Sequence, residues 1–139
     1  MAMTRLDLQR LAQIKFDDAV LLLANQRYCN AYYLAGYAVE MALKACIAKQ
    51  IREGEIPDKA LIEKVFTHEY SKLIGLSGLS AELKNAQDSD HQFQAYWGIA
   101  AEWSPNDRYA IIDSMSAELL LTAIGDPEHG VLRWIKMHW

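Results

Sequence analysis

The segment 25–51, NQRYCNAYYLAGYAVEMALKACIAKQI, sets Ala31, Ala35, Ala38, Ala42 and Ala45 at spacings of four, three, four and three. That rhythm keeps all five on one side of an α-helix, since residues three and four apart lie over one another along its axis. It creates a smooth seam that a second helix can approach closely. Large side chains lie beside the seam, namely Tyr28, Tyr32, Leu34, Tyr37 and Met41, and Glu40 and Lys44 form an i,i+4 pair. The run is expected to be the central helix of a compact bundle.

The rest of the chain is punctuated in the same way. A first helix is predicted from Thr4, a natural N-cap, to about Ala24, with Leu8, Leu11, Ile14 (or Lys15), Asp18, Leu21 and Leu22 on its apolar face. The long second helix is expected to end near Arg52 or Glu53 and to be closed by Gly54. A short helix follows from Asp58, with Leu61, Ile62 and Val65 inward. A further turn begins at Thr67 and points Tyr70, Leu73 and Ile74 inward, and weaker helical signals run over 80–103. Ser104 and Pro105 form a start signal for a helix to about Ile124 that would bury Ile111, Ile112, Met115, Leu119 and Leu120. Gly125 stops it, and Asp126-Pro127 repeats the signal for a last helix. No segment alternates with a β period. The predicted class is all-α, an up-and-down helical bundle of four main helices plus short ones, in a single domain spanning 1–139.

Composition restricts function more than it defines it. A net charge of −4 excludes a protein that wraps nucleic acid in a global basic field, although a local basic patch could still bind RNA. No apolar run is long enough to span a membrane, and the amphipathic N-terminus lacks the apolar core of a signal peptide, so a cytoplasmic location without membrane contact is expected. Cys29 and Cys46 lack metal-ligand spacing and read as two buried thiols. No His/Cys/Asp/Glu set, glycine-rich phosphate loop or Ser-His-Asp order is present, so neither metal nor cofactor is expected.

The second helix, with RY and then AYYLAGYAVEMALKA, resembles the first motif of the HEPN family of small helical-bundle domains. Thr67-His68-Glu69-Tyr70 with Leu73 is similar to the family's Thr-His…Leu segment. Trp103-Ser-Pro-Asn-Asp-Arg108-Tyr109 is similar to its tryptophan-to-Arg-Tyr stretch, and Gly130-Val-Leu-Arg-Trp134 resembles the end of some small members. The resemblance implies an up-and-down bundle, often a homodimer, acting in many members with a nucleotidyltransferase partner and in others as an RNA-cleaving toxin or defence protein. Its nucleases carry an arginine followed four to six residues later by histidine. The arginine steadies phosphate charge and the histidine moves a proton, so that a ribose 2′-hydroxyl attacks without metal.

Here the pattern is broken. Arg108 occupies the expected arginine position, but Asp113 stands five residues later and no histidine follows in range. An ionised carboxylate would repel the phosphate and make a poor acid for the leaving group. Arg133 and His138 satisfy the spacing at the end of the chain and form the candidate catalytic pair, although five helical residues rotate by about 140° and separate their faces.

Candidate binding residues are Arg108, Tyr109, His68, Glu40 and Lys44. Taken without the resemblance, His68 reads as a capping or packing residue, His91 as solvated, and Glu40–Lys44 as a structural pair. His129, Arg133 and Lys136 would form a basic face on the last helix. Tyr28, Tyr32, Tyr33 and Tyr37 read as core or interface residues, and the C-terminal tryptophans, Trp134 or Trp139 in particular, as contributors to a dimer surface.

Three function classes follow. The first is a non-catalytic module binding a nucleotide, nucleic acid or a nucleotidyltransferase partner. The second is a metal-independent ribonuclease using Arg133 and His138, and the third a structural or adaptor bundle.

Overall fold

The computed structural model describes residues 3–139, so the first two residues of the amphipathic N-terminus lie outside it. Helix α1 (Arg5–Ala24) starts at a capping box in which the Asp7 N–H donates to the Thr4 hydroxyl (3.1 Å) and the Thr4 N–H to the Asp7 carboxylate (3.0 Å). A tight turn follows, with Gln26 at φ 62°, and α2 (Tyr28–Ala48) runs back along α1. Six shorter helices complete the described residues, α3 (Lys59–Lys64), α4 (Tyr70–Ser77), α5 (Ser80–Ser89), α6 (His91–Ala101), α7 (Ser114–Gly125) and α8 (Val131–Lys136). A 3-10 turn, Pro105–Tyr109, lies between α6 and α7. The fold is an all-α helical bundle, with two long helices and a set of medium and short ones around them.

Helix α2 lies at its centre and packs against α1, α4, α7, α8 and the 3-10 turn. All five seam alanines are fully buried, as are Ala12 and Ala19 of α1. Gly36 provides a different fit. A methyl carbon placed there would fall 2.0 Å from the indole of Trp103, which occupies the notch the missing side chain leaves. Trp103 stacks on Tyr70 (centroids 5.8 Å, planes 5° apart), and the Tyr70 hydroxyl donates to the Gly36 carbonyl at 2.7 Å. Phe93, Trp97 and Trp134 extend this aromatic wall, with centroid separations of 5.4 to 6.4 Å. The chain end closes on α1, where Lys136 donates to the Gln13 side-chain carbonyl and the Gln9 amide to the Trp139 carbonyl (3.3 Å).

Several boundaries differ from the sequence expectation for identifiable reasons. The helix expected from Ser104 to Ile124 is two elements. The Ser104–Asp107 capping box closes only a 3-10 turn, residues 110–113 run extended through the β-branched pair Ile111-Ile112, and Asp113 caps α7 afresh. Ile111 is consequently 97% exposed, and Met115 and Leu119 face outward, while Ala117, Leu120, Leu121, Ala123 and Ile124 turn inward. On α1, Ile14 and Leu21 are exposed. Helix α2 ends at Ala48, short of Arg52.

The last helix begins at Val131 because the Asp126 carboxylate accepts the Glu128 and His129 N–H groups (2.9 and 2.7 Å) and holds 127–129 in a turn. A side chain at Gly130 would collide with the Asp126 carbonyl at 2.4 Å. His129 therefore leaves the expected helical face, and its Nδ1 meets the Asp90 carboxylate at 2.7 Å, joining the start of α6 to the α7–α8 turn. Trp134 is buried in the aromatic wall, so it offers no dimer surface. Cys46 is buried as expected. Cys29 is exposed, because it sits in the first turn of α2, where its sulfur accepts the Ile112 N–H at 3.3 Å.

Gly36→Ala, Ala38→Leu and Ala42→Leu each overpack α2 and should cost about 1–3 kcal/mol. Urea denaturation followed by circular dichroism measures this; unchanged midpoints for both leucine variants would remove the seam from the account of stability.

Candidate functional site

Tyr33, Tyr37, Glu40 and Lys44 follow one another on α2 at spacings of four, three and four, and so share a face. They are offset from the alanines by two residues, about 200° round the helix. Glu40 is 1% exposed, and a buried carboxylate is costly unless both its oxygens are paired. Lys44 Nζ lies 3.2 Å from one oxygen and His68 Nδ1 lies 2.6 Å from the other. His68 is delivered by residues 67–69, where the Glu69 N–H donates to the Thr67 hydroxyl (3.2 Å) just before α4. With Nδ1 donating to the carboxylate, Nε2 is the remaining polar atom of a ring that is half exposed.

The tyrosines carry this cluster toward a cation. Tyr37 meets the His68 ring edge-on at 6.0 Å and the Trp103 ring at 5.1 Å, and it contacts Tyr33 with centroids 4.9 Å and hydroxyls 3.4 Å apart. Burial first, and then the hydrogen bond with Tyr33, push the Tyr37 hydroxyl up to about 12, so it keeps its proton. Lys15 of α1 lies 5.8 Å from the Tyr37 ring centre.

Arg108 completes the line from the 3-10 turn. It donates to the Tyr109 hydroxyl at 2.8 Å and lies 4.7 Å from that ring's centre. Hydrogen bonds to Tyr109 and then to Tyr33 hold its guanidinium above the usual arginine value. Among the described residues no carboxylate pairs with Arg108, and Tyr109 is 78% exposed. Beside His68 opens a recess of about 420 Å³ walled by Tyr70, Trp97 and Trp103.

The five sequence-derived binding candidates thus stand in one connected line, Lys44–Glu40–His68 at one end and Arg108–Tyr109 at the other, joined by Tyr33 and Tyr37. The sequence alone reads those two tyrosines as core or interface residues. Their spacing with Glu40 and Lys44 was the available signal, as regular as that of the alanines.

Arg133 and His138 are not brought together. Arg133 donates to the Met137 sulfur (3.7 Å) and borders a groove with Phe16, Asp126 and Lys136. His138 lies against Trp134 (4.9 Å) and lines a separate recess with Lys49 and Arg52. Asp113 accepts the Ser116 N–H at 2.7 Å, which holds its carboxyl below the usual carboxylate range. It is committed to capping α7. Among the described residues no three His, Cys, Asp or Glu side chains converge as a metal site, and no helix is long and apolar enough to cross a membrane.

A family model described as HEPN domain matches residues 6–98, which takes in α1 from its second residue, α2 to α5 and most of α6. Neither the curated proteins nor the solved structures give a match.

Lys44→Met leaves one oxygen of the buried Glu40 carboxylate unpaired and should cost about 1–3 kcal/mol. Adding Glu40→Gln removes the charge and should recover part of that loss in thermal denaturation. Equal stability for wild type and Lys44→Met would show that the pair contributes nothing.

Proposed function

The chain belongs to the HEPN domain family, and from that premise we propose that it is a non-catalytic binding module that holds a nucleotide or a nucleic-acid strand at Arg108 and Tyr109. The observation that carries this reading is the state of Arg108. Its guanidinium donates to the Tyr109 hydroxyl, yet it has no carboxylate to neutralise it among the described residues. A phosphate supplies that charge bidentately, and the exposed Tyr109 ring offers a face on which a base can stack. Lys15, Tyr37 and the free Nε2 of His68 extend the same surface.

The same geometry supports reading the module without cleavage chemistry. Asp113 replaces the histidine expected after Arg108 and is used as a helix cap, while Arg133 and His138 border different recesses. We extend the module over 1–139, because Leu120, Ile124, Val131 and Ile135, beyond the family match, share one core with α1 and α2.

Fluorescence anisotropy with a labelled single-stranded RNA, and titration with a mononucleotide, test the site. Arg108→Ala and Tyr109→Ala should each weaken binding about tenfold or more, consistent with the ~1–3 kcal/mol of a base–aromatic stack. The RNA should stay intact in EDTA. Binding unaffected by both substitutions would move the reading to a protein ligand, such as a separately encoded nucleotidyltransferase, or to an adaptor bundle. Metal-independent cleavage lost in both Arg133→Ala and His138→Ala would replace it with the ribonuclease.

We assign the module to a homodimer, with the exposed Ile14 and Leu21 of α1 and Met115 and Leu119 of α7 as its apolar surface in place of Trp134. Helices α1 and α7 pack against each other, which places these residues on neighbouring elements. Light scattering should give twice the chain mass for wild type and the chain mass for Leu21→Glu/Leu119→Glu; a wild-type monomer at micromolar concentration would refute the assignment.

A further inference from the structure

Helix α2 ends at Ala48, and the chain leaves it through Lys49, Gln50 and Arg52. The turn between α4 and α5 crosses this exit, with the Gln50 amide donating to the Ser77 carbonyl. The end of α8 forms the third side. There the His138 N–H returns to the Ile135 carbonyl at 2.9 Å, and the His138 ring is held against Trp134. These three segments border an open recess of about 450 Å³ lined by Lys49, Arg52 and His138 among others, with no aspartate or glutamate in its lining.

That balance runs against the molecule as a whole, which has 18 acidic residues to 14 basic ones. Lys44, Lys59, Lys72 and Lys84 each lie within 4 Å of a carboxylate; Lys49 and Arg52, like the other arginines and Lys15, Lys64 and Lys136, have no such partner among the described residues. A helix C-terminus favours nearby cations, which accounts for Lys49 and Arg52 alone. It does not account for His138, from the far end of the chain, lining the same recess. The thiol of Cys46, which also lines the recess, donates toward the Ile135 carbonyl (3.8 Å), and burial pushes it up to about 11, so it adds no negative charge.

We propose that this recess is a phosphoryl-binding site, in which Lys49 and Arg52 neutralise the phosphate and His138 contributes a ring N–H. The guanidinium suits two phosphate oxygens at once, and the ammonium acts as a point charge. The ligand chemistry is a phosphate ester, from either the backbone of a strand or a small phosphorylated molecule. The site does not depend on the Arg108 reading. Tyr33 and Lys49 are sixteen residues apart, about 24 Å along the axis of α2.

The four histidines make the two readings separable. Ring resonances of His68, His91, His129 and His138 are followed by NMR in phosphate-free buffer during titration with inorganic phosphate, and in a second series with a short single-stranded RNA. The expected result is a saturable shift at His138, with His91 and His129 nearly unmoved. Lys49→Ala/Arg52→Ala should weaken the apparent phosphate affinity at least tenfold, and unchanged His129 signals confirm that the double variant is folded. RNA saturating His138 at a tenth of the phosphate concentration or less identifies a strand, and comparable concentrations identify a small ligand. A His138 shift that does not saturate, that is shared equally by all four rings, or that is undiminished in the double variant would overturn the proposal. His68 reports on the Arg108 surface independently.

Discussion

A helix enclosed on most of its circumference cannot carry the same kind of side chain all round it. Helix α2 meets this constraint with different residues on different sides. Alanines along one stripe let neighbouring backbones come close, and a glycine admits an indole where even a methyl group would collide. On the opposite side, tyrosines and an ion pair turn a buried surface polar without leaving its charge uncompensated. The remaining helices take their positions from these surfaces. Tyr70 is bonded to the α2 backbone, Trp103 fills the notch, and His68 is drawn to Glu40.

What could be read in the sequence was local. The alanine rhythm, the Thr4 cap, the inward Tyr70, Leu73 and Ile74, and the Glu40–Lys44 pair all follow from spacings within a single helix, and the structure contains each of them. Contacts between distant segments left no such trace. Nothing in the spacing of Glu40 and His68 announces that a carboxylate and an imidazole 28 positions apart are hydrogen-bonded. The error beyond Ser104 has a physical source. Ser104 and Asp107 form a complete capping box, and only the β-branched pair that follows, with a second cap at Asp113, breaks the helix. Arg133 and His138 illustrate the converse, since residues at a regular spacing in sequence border different recesses.

The aromatic wall shows how polar needs are distributed in a small core. Tyr70 spends its hydroxyl on a backbone carbonyl, whereas the Trp103 Nε1 is buried without a partner among the described residues. An unpaired buried donor costs about 1–3 kcal/mol. The indole nevertheless stacks on Tyr70, contacts Tyr37 and closes the surface over Gly36, so its position is set by shape rather than by hydrogen bonding.

The lock between Gly36 and Trp103 also bears on how such a chain can diverge. The two positions amount to one choice. A lineage that gains a side chain at 36 must reduce the ring at 103, and one that loses the ring leaves a cavity that a larger residue at 36 can fill. Residue 36 lies within the stretch shared with the family, which ends at residue 98, and residue 103 lies just past it. The socket thus lies inside the matched stretch and its plug outside it. Covariation between these two positions among related chains would show whether they change as a pair.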